Sequence, residues 1–294
     1  MSISSNIDSI ETHLKKYSES ERTSFYIDQS FLGLINPSST EWKTQYYRNN
    51  VHYNFLHDFL TRHDLIDDVI VLKGVAILDL NIYENLGQRL TGDIDLLVSD
   101  FTNVERALIS ENFVLVETKN WKGNDFKKVY QKVIAGIEVA VELHARLFYH
   151  IDYADYNFSK TPSGFKVLSH EWMLMHLVGH LAFQHTFLKI HWLLEINQYV
   201  ENYRNEIDWN YFNYLINKFE FNNSWKLTQY FLNLTFKQKL TSNIILRYFC
   251  DIDFILFPEK NKVSYYLIKF MTKDSPLTFI SYAVSWLISS GWKK

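Results

Sequence analysis

The segment Asp93-Ile94-Asp95-Leu96-Leu97-Val98 puts two carboxylates two positions apart in an otherwise apolar run. An extended chain sends alternate side chains to opposite faces, so Asp93 and Asp95 leave one face while Ile94 and Leu96 leave the other. A near-continuous apolar run of this length reads as a strand buried on both sides. Two carboxylates on one such face repel each other and lose hydration, so the arrangement calls for a cation beside them. The pair is either a cation site on a sheet or a solvated strand end or loop cap, and the neighbouring residues decide between them.

Other elements can be placed around that strand. Val69-Ile70-Val71-Leu72 is a second buried strand that ends at Lys73-Gly74, and Val75 to Tyr83 reads as a helix broken at Asn85 and Gly87. Phe101 to Glu111 is helical in character. Phe113 to Glu117 and Lys127 to Ile134 read as a hairpin whose loop includes Lys122-Gly123-Asn124-Asp125, with Lys127-Lys128 as a solvated edge. Ile137 to Leu143 is a further strand, with Val139, Val141 and Leu143 alternating against Glu138, Ala140 and Glu142. Upstream, residues 22–66 read as helices interrupted at Asn36-Pro37-Ser38-Ser39. From Thr40, the residues Trp42, Tyr46, Val51, Phe55, Leu56, Phe59 and Leu60 form one apolar face. After Pro162-Ser163-Gly164 the pattern stays helical, with Ser169 as N-cap for Glu171 to Phe187 and a helix from Leu188 to Tyr203. The expected class is α+β: a small mixed sheet flanked by helices, with a mainly helical C-terminal half. Its parts are an N-terminal helical segment over 1–66 packing on the core, a sheet core over 67–160, and a helical domain over 161–294.

The cation that suits Asp93 and Asp95 is magnesium, which takes hard oxygen ligands and leaves positions for water and phosphate; manganese accepts the same donors. Glu142, on a neighbouring strand, supplies a third carboxylate. Two ions about 3.5–4 Å apart could then activate an acceptor oxygen and neutralise a leaving pyrophosphate. Lys73-Gly74 opens a helix at a strand exit, where backbone N–H groups and an ammonium can meet phosphate. Arg89 offers a bidentate partner for phosphate oxygens. The structural alternative is that Lys73 and Arg89 pair with Asp93 or Asp95 as ordinary ion pairs. His144, two residues after Glu142, shares its face and could touch nucleotide or acceptor.

Bulk properties narrow the function classes. Net charge is −3, so no global cationic field draws in a long nucleic acid, which disfavours nucleic acid as a partner. A single cysteine, Cys250, excludes an internal disulfide and a cysteine metal cluster. Met1 to Ser20 lacks a signal-peptide core. Leu277 to Ile288 is shorter than a membrane span and carries a polar stripe of Ser281, Ser285 and Ser289, so the chain reads as cytoplasmic with no membrane association. No nucleophile elbow, Walker loop or Rossmann glycine fingerprint is present.

Leu72-Lys73-Gly74, Tyr83, Arg89, Gly92-Asp93-Ile94-Asp95-Leu96-Leu97-Val98 and Val141-Glu142-Leu143-His144 resemble the bacterial family of uncharacterised nucleotidyltransferases, within the polymerase-β-type superfamily. The helical half is similar to that family in Leu168-Ser169, His176 to His180, Trp192-Leu193-Leu194-Glu195-Ile196 and Asp208-Trp209. The resemblance implies a small nucleotidyltransferase sheet, a nucleoside triphosphate donor, magnesium on Asp93 and Asp95, and Glu142 as the third acid. Where the wider superfamily has Gly-Ser or Gly-Gly after the first strand, this chain has Lys73-Gly74, so Lys73 stands in for the missing hydroxyl.

The expected activity is magnesium-dependent transfer of a nucleoside monophosphate from a triphosphate to a small-molecule, peptide or protein acceptor, whose pocket the helical half would shape. Asp93, Asp95 and Glu142 act as catalytic and metal-binding residues, and Lys73, Gly74, Arg89 and His144 line the nucleotide. A degenerate fold that binds without chemistry is one alternative. A glycosyltransferase using Asp93-Ile94-Asp95 is another, although no doubly wound nucleotide half is evident. His180 is a candidate lining residue, and His176, His185 and His191 read as packing or surface residues. Tyr46, Tyr47, Phe148, Tyr149, Tyr153 and Tyr156 could stack a base but read first as core.

Overall fold

Capping residues and apolar alternation account for the elements of this computed structural model. It describes residues 3–29, 31–121, 124–148, 151, 155–237 and 251–257, with positions 268, 269, 271–275, 277 and 280. In chain order the elements are α1 (Ile3–Leu14), α2 (Glu19–Asp28), α3 (Leu32–Ile35), α4 (Thr40–Arg62), β1 (Ile70–Val71), α5 (Lys73–Asp79), β2 (Ile94–Leu97), α6 (Thr102–Ser110), β3 (Val114–Trp121), β4 (Asn124–Ile134), β5 (Ile137–His144), β6 (Phe158–Lys160), β7 (Lys166–Leu168), α7 (His170–Gly179), α8 (Ile190–Tyr203), α9 (Trp209–Lys218), α10 (Asn222–Phe236) and α11 (Ile252–Leu256). The Cys250 position, the serine stripe, Tyr149, Tyr153 and the Lys122-Gly123 turn lie outside the described residues.

The class is α+β, as expected. Two compact units make up the chain: one holds the residues up to Asn36 together with described residues from Leu174 onward, and the other holds Pro37–Met173. The first unit is helical. Ser18 accepts from the Glu21 N–H and closes a capping box on α2, and Asp208 accepts from the N–H groups of Asn210 and Tyr211 to start α9. Its aromatic residues form a packed interior, with Phe25 against Phe31 and Phe257, Phe187 against Phe231, and Phe212 against Trp225.

The second unit contains a mixed sheet in the order β1-β2-β5-β4-β3. β1 runs antiparallel to β2, β2 parallel to β5, and β5, β4 and β3 form an antiparallel meander. Val69 to Leu72, Ile94, Leu96, Leu97, Val139, Val141 and Leu143 are all buried. Each such side chain contributes roughly 1.5–3 kcal/mol of hydrophobic stabilisation. That burial also fixes register, because a slip by one residue would turn every acid on the site face toward the core.

Four expectations need correcting. β4 is an interior strand, so Lys127-Lys128 is no solvated edge: Lys127 pairs with Glu142, and Lys128 Nζ lies 2.7 Å from Glu105. Residues 158–168 form a β6–β7 hairpin ahead of the helices, which the sequence reading passed over because three-residue strands carry no measurable period. Its turn is closed by the Thr161 N–H donating to the Phe165 carbonyl, with Gly164 at φ +87°. α5 starts at Lys73 and stops at Asp79, before the left-handed Asn81 at φ 55°, and does not reach Tyr83. α7 ends at Gly179 and passes into a π-helical turn over His180–Gln184, ahead of left-handed Thr186 and Phe187.

α4 shows why the sheet unit starts before residue 67. Ser39 caps it by accepting from the Trp42 N–H. Its buried face includes Gln45, Asn49 and His52 as well as Val51, Leu56, Phe59 and Leu60, while Tyr46 on the expected apolar face is exposed. Asn49 is fully buried, and its Nδ2 donates to the carbonyls of Leu86 and Arg89 at 2.6 and 2.5 Å. One side chain thereby ties α4 to the loop that leads into β2. Asn49→Ala should lower unfolding free energy by about 1–3 kcal/mol in urea denaturation, since two buried carbonyls lose their donor. An unchanged transition midpoint would contradict this role.

Candidate functional site

Strand register assembles the site. In the parallel β2–β5 ladder, Asp95 is the partner of Glu142 and Leu97 the partner of His144. In the antiparallel β5–β4 ladder, His144 is the partner of Lys127. Directly opposed residues share a face, so Asp95, Glu142, His144 and Lys127 project from one side of the sheet. Asp93 sits two residues before Asp95, just ahead of the strand. The Leu72 N–H donates to the Asp95 carbonyl at 2.9 Å, which brings the exit of β1 beside the acid and delivers Lys73 to it.

Asp95 is the hub. Its side chain is 1% exposed, with the Lys73 ammonium 3.0 Å from Oδ2 and His144 Nε2 donating to Oδ1 at 3.0 Å. His144 Nε2 also lies 3.4 Å from Glu142 Oε2, and the same carboxylate oxygen contacts the Lys127 ammonium. Burial alone would raise Asp95, but Lys73 and His144 outweigh it and hold its carboxyl well below the usual range. Glu142 follows the same logic: burial pushes up, and His144 and Lys127 bring the net shift down. His144 and Lys73 move the other way. Burial would lower both, yet the acids around them raise their pKa. Asp93 is the exception, pushed up to about 6 by burial first and by the Asp95 charge second.

These contacts set the protein's own cations, Lys73, Lys127 and His144, against Asp95 and Glu142, while the ionisation of Asp93 stays disfavoured. The structural alternative for Lys73, an ion pair with Asp95, is realised. Arg89 is 8% exposed and its Nη1 donates to Thr91 Oγ1 at 3.0 Å and to the Leu90 carbonyl at 3.3 Å, so it braces the loop before Asp93. Gly74 lies against the same loop. A Cβ there would stand 3.2 Å from Thr91 Cγ2 and 3.4 Å from the Asp93 carbonyl.

The donor chemistry fits a divalent cation. One ligand atom from each of Asp95, Glu142 and His144 lies within 4.8 Å of the others. Two carboxylates suit magnesium or manganese, and the imidazole shifts preference toward ions that accept nitrogen. The sequence reading named Asp93 where this cluster has His144; Asp93 adjoins it through its charge coupling to Asp95. Lys127, expected on a solvated edge, joins the site instead, because its place depends on a β4–β5 register that no local pattern reveals.

The other weighed residues are elsewhere. His176 and His180 are buried in the helical unit, where His180 Nε2 lies 3.1 Å from His185 Nε2 and the His185 ring stacks on Trp192. Tyr46 stacks on Trp42 and the Tyr47 hydroxyl donates to the Ala135 carbonyl. Phe148 and Tyr156 are core, the latter packed on Trp172. No helix among the described residues is long and apolar enough to cross a membrane.

Residues 56–237 match the profile of a family described as uncharacterised nucleotidyltransferase. The chain is also similar to the crystal structure of JHP933 from Helicobacter pylori, at 12% identity and a TM-score of 0.41, covering 82% of this chain and 97% of that one. A second H. pylori structure, described as a candidate nucleotidyltransferase, matches at 13% identity and a TM-score of 0.38, covering 74% of this chain and 94% of its own. No curated protein matches.

The raised Asp93 carboxyl has a consequence for stability. Its folded value of about 6 exceeds the ordinary 3.8, so ionisation disfavours the folded state; the penalty is full above pH 6 and fades as pH falls toward 4. Asp93→Asn should therefore stabilise the metal-free protein at pH 7.5, by on the order of 1–2 kcal/mol, with the gain shrinking toward zero near pH 4. Thermal melts across that range check it, and a gain that grew on acidification would contradict the assignment.

Proposed function

Because this chain belongs to the family of uncharacterised nucleotidyltransferases, we propose that it moves a nucleoside monophosphate from a nucleoside triphosphate to an acceptor with magnesium as cofactor. The observation that carries this reading is the pairing of Asp95 with Glu142 across parallel strands, with Asp93 beside them and Lys73 at the neighbouring strand exit. It sets Asp95 and Glu142 side by side on one face, with Asp93 and the Lys73 ammonium next to them.

Asp93, Asp95 and Glu142 would hold the divalent cation, with His144 as an adjoining nitrogen donor. When bound, that cation polarises phosphoryl oxygens and neutralises the departing pyrophosphate. Lys73 and Arg89 receive phosphate oxygens, and Gly74 lets the triphosphate approach the backbone. In the transfer, an acceptor oxygen forms a bond to the α-phosphorus and the α–β phosphoanhydride bond breaks. Pyrophosphate leaves with the bonding electron pair, and the acceptor's proton passes to a carboxylate. Glu142 is assigned to the acceptor side, where its lowered pKa keeps it ionised. Small molecules, peptides and proteins all remain acceptor classes.

One observation favours a second reading. Lys73, Lys127 and His144 already balance the acids, which is what a catalytically degenerate fold retained for binding would also need. The two readings separate on turnover. Given labelled triphosphates and magnesium, wild type should release pyrophosphate, and Asp93→Asn and Asp95→Asn should reduce that release by about 100-fold or more. Equal release by all three proteins would overturn the transferase reading. Triphosphate binding without release across a broad acceptor screen would establish the degenerate one.

A further inference from the structure

Lys127 has no part in the nucleotidyl reading, yet it sits among its acids. Its side chain is 17% exposed, it shares a face with His144 through strand register, and its ammonium contacts Glu142. Its charge also bears on Asp93. We propose that Lys127 is an exchangeable counter-cation: it neutralises Glu142 in the ligand-free site and transfers to a phosphate oxygen when a divalent cation and a triphosphate bind together. The proposal rests on the nucleotidyltransferase reading and adds a rule for how the site loads.

The argument is one of charge balance in a desolvated place. A divalent cation arriving alone must enter beside the ammonium groups of Lys73 and Lys127, which repel it. A triphosphate arriving alone must draw an ammonium off a carboxylate and leave that carboxylate poorly neutralised, which is unfavourable where water is scarce. Arriving together, the two ligands exchange partners with the site: acids meet the divalent cation, and ammonium groups meet the phosphates. Each ligand therefore favours the other, and Lys127 carries part of the coupling. A lysine suits this work better than an arginine, because its point charge rides on a flexible stem and can swing without moving β4.

The test is a set of calorimetric titrations on the full chain with Mn2+ alone, inorganic triphosphate alone, and triphosphate in saturating Mn2+. For Lys127→Met, Mn2+ alone should bind about 5-fold tighter or more, because a repelling charge is gone. Triphosphate in Mn2+ should bind about 5-fold weaker or more, so the two affinities move in opposite directions. Lys127→Arg should restore the wild-type pattern at least in part. Glu142→Gln is an independent arm: with its partner neutral, the Lys127 ammonium is released, and triphosphate alone should bind more tightly than to wild type. Circular dichroism confirms that each variant is folded. Wild type binding both ligands while Lys127→Met matches it, or weakening of both ligands in Lys127→Met, would overturn the counter-cation proposal alone. Wild type binding neither ligand would overturn the nucleotidyl reading beneath it.

Discussion

The Asp95 carboxylate governs the rest of the site. It is almost wholly desolvated, and a bare charge in that position is not tolerated, so Lys73 must come in from the exit of β1 and His144 from β5. His144 is shared with Glu142, and Glu142 with Lys127. The charges thus form one chain across four neighbouring elements. Asp93, two residues before Asp95, is the member whose ionisation the arrangement disfavours.

Backbone geometry makes that chain possible. The parallel step from β2 to β5 aligns Asp95 with Glu142, and the antiparallel return through β4 adds Lys127 to the same face. The loop before β2 is fastened from two sides, by Asn49 of α4 at the Leu86 and Arg89 carbonyls and by the Arg89 guanidinium at Thr91. Gly74 allows the strand exit to lie close to that loop. Strands and a braced loop of this kind fix the backbone of the site, so that any exchange of ion-pair partners falls to the side chains alone.

Much of this was legible in the residues, and the parts that were not share a cause. Alternation within Val139 to Leu143 identified β5 and placed Glu142 and His144 on one face, and the apolar run 69–72 identified β1. These are local properties of a single strand. Lys127 was read as a solvated edge because its role, like the interior position of β4, depends on register between strands. The Lys73–Asp95 ion pair was stated as an alternative, whereas the contacts of Arg89 with Thr91 and the Leu90 carbonyl were not, because side-chain pairing follows from distance and not from spacing. The need for positive charge beside Asp95 was legible, but that Lys73 and His144 together supply it was not. The β6–β7 hairpin and the π-helical turn at His180 were missed because both are too short to imprint a period.

The proposed transfer requires that the face bearing Asp95 and Glu142, with Asp93 beside it, take a divalent cation together with a nucleoside triphosphate. The most direct measurement is anomalous diffraction at the manganese edge from crystals holding Mn2+ and a non-hydrolysable triphosphate. This account predicts an anomalous peak bounded by those carboxylates, with phosphate density reaching Lys73. Manganese absent from these acids, or a triphosphate bound elsewhere, would contradict it.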